Sequence, residues 1–295
     1  MSGYKKKTIE AIILGNANAW IKSITDSALA ERVQDNYIVT GGAITSMLLG
    51  EQPNDFDVYF KDVDVAVDVA NYYIKQYGDV KTDKVSTIQA INENGRVRIM
   101  IKSSGLLSEE TDTSEYQYFE GSNLASLDSY FENKETTTDK AKYRPVMISG
   151  NAITLSNDIQ IITRFTGDVT QIHHNFDFVH CTNYYSRSTG LVLNQNALES
   201  ILAKELVYCG SLYPICSLFR IRKFIERGWT INAGQILKIA YDVSKLDLTD
   251  KEVLQDQLVG VDAAYFYEVL SILNKNNDKP IDRTYLFEVI TKVFE

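Results

Sequence analysis

Residues 37–60 constrain this chain more than any other stretch. Tyr37-Ile-Val-Thr40 is followed by Gly41-Gly42, then by Ala43 to Leu49 closed by Gly50, then by Asp55-Phe-Asp57-Val-Tyr-Phe60. Hydrophobic spacing reads this as a buried strand, a glycine turn, a short helix stopped at a C-capping glycine, and a second strand with one wet face. Paired glycines at a helix start leave backbone N–H groups bare and let a ligand approach closely. The helix N-terminus adds partial positive charge, so a phosphate sits well there. Residues two apart on a strand face the same side, which makes Asp55 and Asp57 project together. Such a pair repels itself unless a cation neutralises it, and Mg²⁺ accepts oxygen ligands while keeping substrate phosphates in its shell. Two such ions, about 4 Å apart, would activate an attacking hydroxyl and stabilise a leaving pyrophosphate. A Gly-Gly turn or an Asp-x-Asp strand is common when found alone; the order, with one helix between them, supplies the specificity.

The rest of the chain divides by pattern. Thr8 to Gln34 has helical spacing, with Asn16 and Asn18 expected to break it into two helices. Val63 to Tyr77 reads as a helix. Val85 to Ile91 and Arg96 to Ile101 read as a hairpin joined at Asn92-Glu-Asn-Gly95. Residues 108–140 are acidic and Ser/Thr-rich, and are expected to form a mobile insertion with one short helix near Leu124 to Phe131. Tyr143 to Ser149, Ala152 to Leu155, Asp158 to Arg164 and Phe176 to Cys181 follow as extended pieces. Beyond Thr189 the pattern is helical: Ala197 to Tyr208, Ile215 to Arg227, Ala233 to Asp242, and further helices to Phe294. The expected class is α+β: a mixed sheet with flanking helices over residues 1–188, then an all-helical domain over 189–295.

Composition removes several function classes. With 44% hydrophobic and 23% charged residues, the 295-residue chain has the mix of a globular protein. No apolar run is long enough to span a bilayer, and the N-terminus lacks a secretory pattern, so a cytoplasmic location is expected. Three cysteines without a CxxC pair fit reduced thiols. His173, His174, His180 and Cys181 cluster, but their spacing matches no standard zinc site. A net charge of −9 argues against a protein that coats nucleic acid nonspecifically. It leaves room for one nucleic-acid end in a local basic cleft, for which Lys5 to Lys7, Lys140 to Arg144 and Arg220-Ile-Arg222-Lys223 are the available clusters.

On Gly41-Gly42, Leu48-Leu49-Gly50 and Asp55-Phe56-Asp57, the chain resembles the DNA polymerase beta-like nucleotidyltransferase superfamily. The nearest branch is the head of CCA-adding enzymes and bacterial poly(A) polymerases. Asn151-Ala-Ile-Thr, Gln160-Ile-Ile-Thr-Arg164 and Phe176-Asp-Phe-Val-His180 are similar to stretches of uncharacterised nucleotidyltransferase-like proteins of large phages and giant viruses. That branch carries Arg-Asp inside the helix, where this chain has Thr45-Ser46. The resemblance implies template-independent transfer of a nucleoside monophosphate from an NTP to an acceptor hydroxyl, foremost an RNA or DNA 3′ end. It implies two Mg²⁺ ions, with Mn²⁺ as a substitute, held by Asp55, Asp57 and a third carboxylate. Asp177 is the first candidate for that third ligand, because its flanking phenylalanines would bury while it faces the cleft. Asp158 and Asp168 are the rivals. Gly41, Gly42 and Ser46 would meet the nucleotide, joined by Arg164, Lys204 (expected mid-helix) and Tyr213 (before the bend at Pro214), while the helical half would cover the base. Two other readings stay open: nucleotidylation of a protein or small molecule, and a catalytically degenerate, antitoxin-like module that binds a nucleotide or none.

Overall fold

The strands that the glycine turn connects lie side by side. β1 (Tyr37–Thr40) and β2 (Phe56–Phe60) pair antiparallel, with Val39 opposite Val58. They occupy the middle of a seven-stranded sheet, in a computed structural model that describes residues 3–80, 86–93, 95–103, 142–148 and 152–250, together with positions 253, 257, 283, 284, 287, 288 and 291. The expected insertion at 108–140 lies outside the described residues, as do almost all of the helices expected after Lys251.

Two helices precede β1: α1 (Lys6–Ile21) and α2 (Ser27–Asn36). The break expected at Asn16 and Asn18 does not occur. Ile13, Ala17, Trp20 and Ile21 continue one buried stripe straight through both asparagines, and that burial outweighs their modest helix penalty. The chain breaks later, where the Asp26 carboxylate accepts the Leu29 N–H at 3.0 Å and caps α2. Between β1 and β2 runs α3 (Gly42–Leu49), which ends on Gly50 at φ +80 as its C-cap.

After β2 come α4 (Val63–Val80) and a separate hairpin, β3 (Ser86–Glu93) with β4 (Arg96–Ser103), paired from Ser86–Ser103 to Glu93–Arg96. The sheet resumes with β5 (Pro145–Ile148), β6 (Ala152–Leu155) and β7 (Ile159–Thr166), followed by α5 (Val169–His173). It closes with β8 (Tyr184–Ser186) and β9 (Gly190–Val192). The order across the sheet is β5-β6-β7-β2-β1-β8-β9. β2 and β7 run parallel, with Asp57 beside Gln160, and the other neighbours are antiparallel. This is the mixed sheet with flanking helices that the pattern predicted, with helices α6 (Gln195–Ala203), α7 (Pro214–Glu226) and α8 (Ala233–Ser244) after it.

Two strand assignments need correction. β2 does not have one wet face: of its five residues only Asp57 is not fully buried. As a central strand it has a neighbour on each side and cover above and below, so polar-apolar alternation overstated its exposure. Phe176 to Cys181 is not a strand either. Asp177 sits in a bend, Phe178 makes one isolated bridge to Tyr208, and Val179–Cys181 is a single 3-10 turn. Alternation over so few residues is satisfied equally by a loop whose rings turn inward.

The chain separates into two compact units, Met1–His173 with Cys181–Asn194, and His174–His180 with Gln195–Glu295. The core of the first is continuous, from Ile9, Ile13 and Trp20 through Tyr37, Ile44 and Phe60 to Tyr73, Ile153 and Ile161.

Candidate active site

Gly41 turns the chain from β1 into α3 at φ +100 and ψ −152, a conformation that side-chain-bearing residues rarely adopt. A methyl group placed on it would lie 2.7 Å from Asp57 Oδ2. The glycine is therefore required twice, for its backbone angle and because a carboxylate oxygen occupies the space a side chain would fill. The turn and Asp57 converge on one place in the first unit. Beside it, Gly42 is exposed, and no atom beyond its chain neighbours and its own helix backbone lies within 4 Å of where its Cβ would stand, so the start of α3 opens to solvent. Ser46 lies one turn further along and is buried with Ala43 to Met47.

Asp55 precedes β2 and is exposed. Its neighbour Phe56 donates its N–H to the Asp158 carbonyl at 2.7 Å, which draws Asp158 close. Surrounding protein raises the Asp55 pKa above the ordinary carboxylate value, and the Asp158 charge raises it further. Asn157 and Asp158, at φ +70 and +60, form the tight turn between β6 and β7, and short polar side chains tolerate that conformation best.

The remaining sequence candidates are distributed differently. Asp177 belongs to the second unit, where its Oδ2 accepts from Arg220 Nη1 at 2.8 Å and its carbonyl accepts the Cys209 N–H. Asp168 is a helix cap: Oδ1 accepts the Gln171 N–H at 2.9 Å, while the Gln171 side chain accepts the Asp168 N–H at 2.8 Å. Arg164 is a buried member of β7. It lies where the pairing with β2 shifts register, between the Val58–Ile161 and Phe60–Thr166 pairs. Lys204 is not mid-helix. It terminates α6 at φ +48, with its N–H on the Ile201 carbonyl and its own carbonyl accepting the Thr230 N–H. Helical periodicity ran past it because Leu206 and Tyr208 are also buried. Tyr213 is the N-cap residue of α7, with Pro214 in the first turn.

A polar cluster absent from the sequence reading stands behind the turn. The Thr40 hydroxyl, fully buried, lies 2.8 Å from His173 Nε2, 2.9 Å from the Asn183 carbonyl and 3.3 Å from the Cys181 carbonyl. The Cys181 carbonyl also accepts the Gly41 N–H at 3.2 Å. Burial pushes the His173 pKa down to about 4, so its imidazole is neutral at physiological pH. His173 and Cys181 stand out in the sequence only as members of a His/Cys cluster without zinc spacing, and the signal at Thr40 is a polar residue closing the otherwise apolar Tyr37-Ile-Val-Thr40 strand.

Carboxylate oxygens are hard donors suited to Mg²⁺, which is commonly held by one or two carboxylates with substrate phosphates completing its shell. Asp55 and Asp57 fit that donor set, and the Asp55 pKa is raised first by desolvation and then by the Asp158 charge. Among the described residues, no group of three or more His, Cys, Asp or Glu side chains is placed to hold a metal ion.

The sequence profile of Gabija anti-defense 2 family proteins matches residues 15–204, well over half of the chain. The chain belongs to that family. The matched span of this Gabija anti-defense 2 family protein contains Gly41, Gly42, Asp55, Asp57, Asp158 and Asp177. A protein described as Gabija anti-defense 2, from Bacillus phage SPbetaL7, is 26% identical over 100 residues, which are 33% of this chain and 25% of the relative. The match thus spans about a quarter of that relative's length. Among solved structures, the Thermotoga maritima CCA-adding enzyme complexed with tRNA is similar at a TM-score of 0.41 and 10% identity, over 95% of this chain and 69% of that one. A CCA-adding enzyme in complex with ATP is similar at 0.44 and 10%, over 99% and 69%.

Proposed function

We propose that this family member is a metal-dependent, template-independent nucleotidyltransferase, serving the anti-defense role that its family's name describes. The observation that carries the reading is Gly41: a left-handed glycine at the start of α3 with the Asp57 carboxylate directly over it. Such an arrangement suits a triphosphate brought to an N-terminal helix turn while its metal is held by neighbouring carboxylates.

Asp55 and Asp57 would hold Mg²⁺ or Mn²⁺, which supplies charge neutralisation and a more acidic acceptor hydroxyl. The exposed Gly42 and the open start of α3 would receive the phosphates. The acceptor oxygen attacks the α-phosphorus in line, its proton passes to solvent, and the bond to the leaving pyrophosphate breaks. The protein's contribution is position and charge. An RNA or DNA 3′ end is the first acceptor to consider, followed by a protein hydroxyl or a small molecule.

The second reading is a nucleotide-binding module without turnover. It is favoured by the Asp177 carboxylate being engaged by Arg220, and by the lack of a three-ligand group among the described residues.

Incubation with each α-labelled NTP, Mg²⁺ or Mn²⁺, and total RNA or total cell protein separates the two. Label retained on one acceptor class, and lost in Asp55→Asn and Asp57→Asn, is the outcome expected. Nucleotide binding without label transfer to any acceptor would leave the binding module, and no binding at all would remove both.

A further inference from the structure

We propose that His173, carrying its proton on Nε2, is a positioning residue for the Gly41–Gly42 turn and acts on it through Thr40. The inference rests on the nucleotide-binding reading of that turn.

Thr40 Oγ1 is within hydrogen-bond reach of His173 Nε2, the Asn183 carbonyl and the Cys181 carbonyl. Carbonyl oxygens only accept, and the hydroxyl has a single proton to give. The Asn183 carbonyl at 2.9 Å is the nearer of the two and takes it. The 2.8 Å contact with His173 then needs its proton from Nε2, which fixes the imidazole as the Nε2–H tautomer. The reverse tautomer would set the nitrogen lone pair against a hydroxyl lone pair, or draw the hydroxyl proton away from the Asn183 carbonyl.

Thr40 is the last residue of β1 and is bonded to Gly41, so its side chain governs how the turn begins. One step beyond the Val39–Val58 pair, it stands opposite Asp57, and opposed residues of antiparallel neighbours share a face. Tyr184, paired with Thr40 across β8, shares that face, and its ring meets the His173 ring edge-on at 5.9 Å. His173 closes α5, which follows β7, and β7 lies parallel to β2 with Gln160 beside Asp57. The hydrogen bond therefore ties the segment after β7 to the end of β1, on the side of the sheet where Asp57 points. The Cys181 carbonyl, which accepts the Gly41 N–H, fastens the other side of the turn. Loss of the His173 donor would loosen the Thr40 rotamer, and with it the orientation of the N–H groups in the first turn of α3.

Binding of a fluorescent ATP analogue, with the four unlabelled NTPs as competitors, would be measured in Mg²⁺ on the full chain. Wild type would be compared with His173→Phe, Thr40→Val and His173→Gln, whose amide can still donate. His173→Phe and Thr40→Val are expected to weaken binding by about tenfold, the effect of one net hydrogen bond. His173→Gln is expected to stay within about threefold of wild type by the same measure. Long-range ¹⁵N–¹H spectra of the wild-type protein read the tautomer directly, and the Nε2–H form is expected. The Nδ1–H form, or undiminished binding in His173→Phe, overturns the proposal while leaving the nucleotide reading intact. Absence of nucleotide binding in wild type overturns the nucleotide reading and this role with it. Should a variant fail to fold, the wild-type tautomer decides.

Discussion

The two units bury their interiors by different means. In the first, aliphatic side chains and a few large rings fill both faces of a sheet. Trp20, Phe60, Ile9, Ile44 and Ile153 are at 0% exposure in a core that runs from α1 to β9. Its only large hydrophobic exposed above a third, among the described residues, is Leu14 at 37%. In the second, rings gather around a histidine. His180 lies 4.4 Å from Trp229, 4.6 Å from Phe224 and 6.0 Å from Phe178 between ring centroids. There Leu202, Leu237 and Tyr241 remain 86%, 69% and 64% exposed. A sheet covered on two sides can take up most of the apolar surface of its chain, whereas a few short helices leave stripes uncovered. Each unit also holds a shielded imidazole, in opposite roles: His173 in a hydrogen-bonded polar cluster, His180 as one ring among rings.

The comparison breaks first at Trp20. Trp20→Ala removes a fully buried indole together with the Nε1–H that the Tyr73 hydroxyl accepts at 2.8 Å. A loss of about 4 kcal/mol is expected from urea unfolding. A loss under about 1 kcal/mol would mean that the first core is not the continuous body described here. Gly41→Ala comes next, because it combines a positive φ with a Cβ 2.7 Å from Asp57 Oδ2. It should cost about 1–3 kcal/mol and displace the Asp57 carboxylate. Nucleotide binding should therefore fall further than the change in Tm alone explains.

Acid unfolding sharpens the histidine contrast. Burial pushes both His173 and His180 from 6.5 down to about 4, with Asp177 opposing and Arg227 adding to the effect at His180. The unfolded chain then binds more protons than the native one below pH 6.5. The stability these groups contribute is full above 6.5 and is lost progressively as the pH falls through about 4. His180→Phe should flatten that dependence and keep the fold, since its neighbours are rings. His173→Phe should flatten it too, but at the expense of the Thr40 cluster. Equal losses of nucleotide binding in the two variants would erase the distinction. The smallest effect is expected at Leu237: Leu237→Glu should shift stability by no more than about 0.5 kcal/mol. A larger loss measured by thermal melting would show that the stripe is covered.

Much of the first unit was legible because its signals are local. The Gly41-Gly42 turn, the Gly50 cap and the β3–β4 hairpin each depend on residues a few positions apart, and each stands where the pattern put it. Errors arose where burial overrode a local rule, as at Asn16 and Asn18 inside α1. They also arose where a short alternation fitted more than one conformation, as at Phe176 to Cys181. Lys204 was misplaced for the first of these reasons, since the buried residues beyond it prolong the apolar rhythm after α6 has ended.

From the sequence alone came the succession strand, glycine turn, helix and Asp-x-Asp, with the phosphate and metal chemistry that it suits. Periodicity and glycine placement act within one or two turns of chain, so no tertiary information is needed to see them. Which carboxylate stands beside Asp55, and what braces the turn, only the tertiary structure decided. Asp158 reaches Asp55 because β7 lies parallel to β2, whereas Asp177, the first candidate by pattern, meets Arg220 in another unit. His173 reaches Thr40 across 133 residues. Pairings at that separation are set by sheet order and register, which local sequence does not encode.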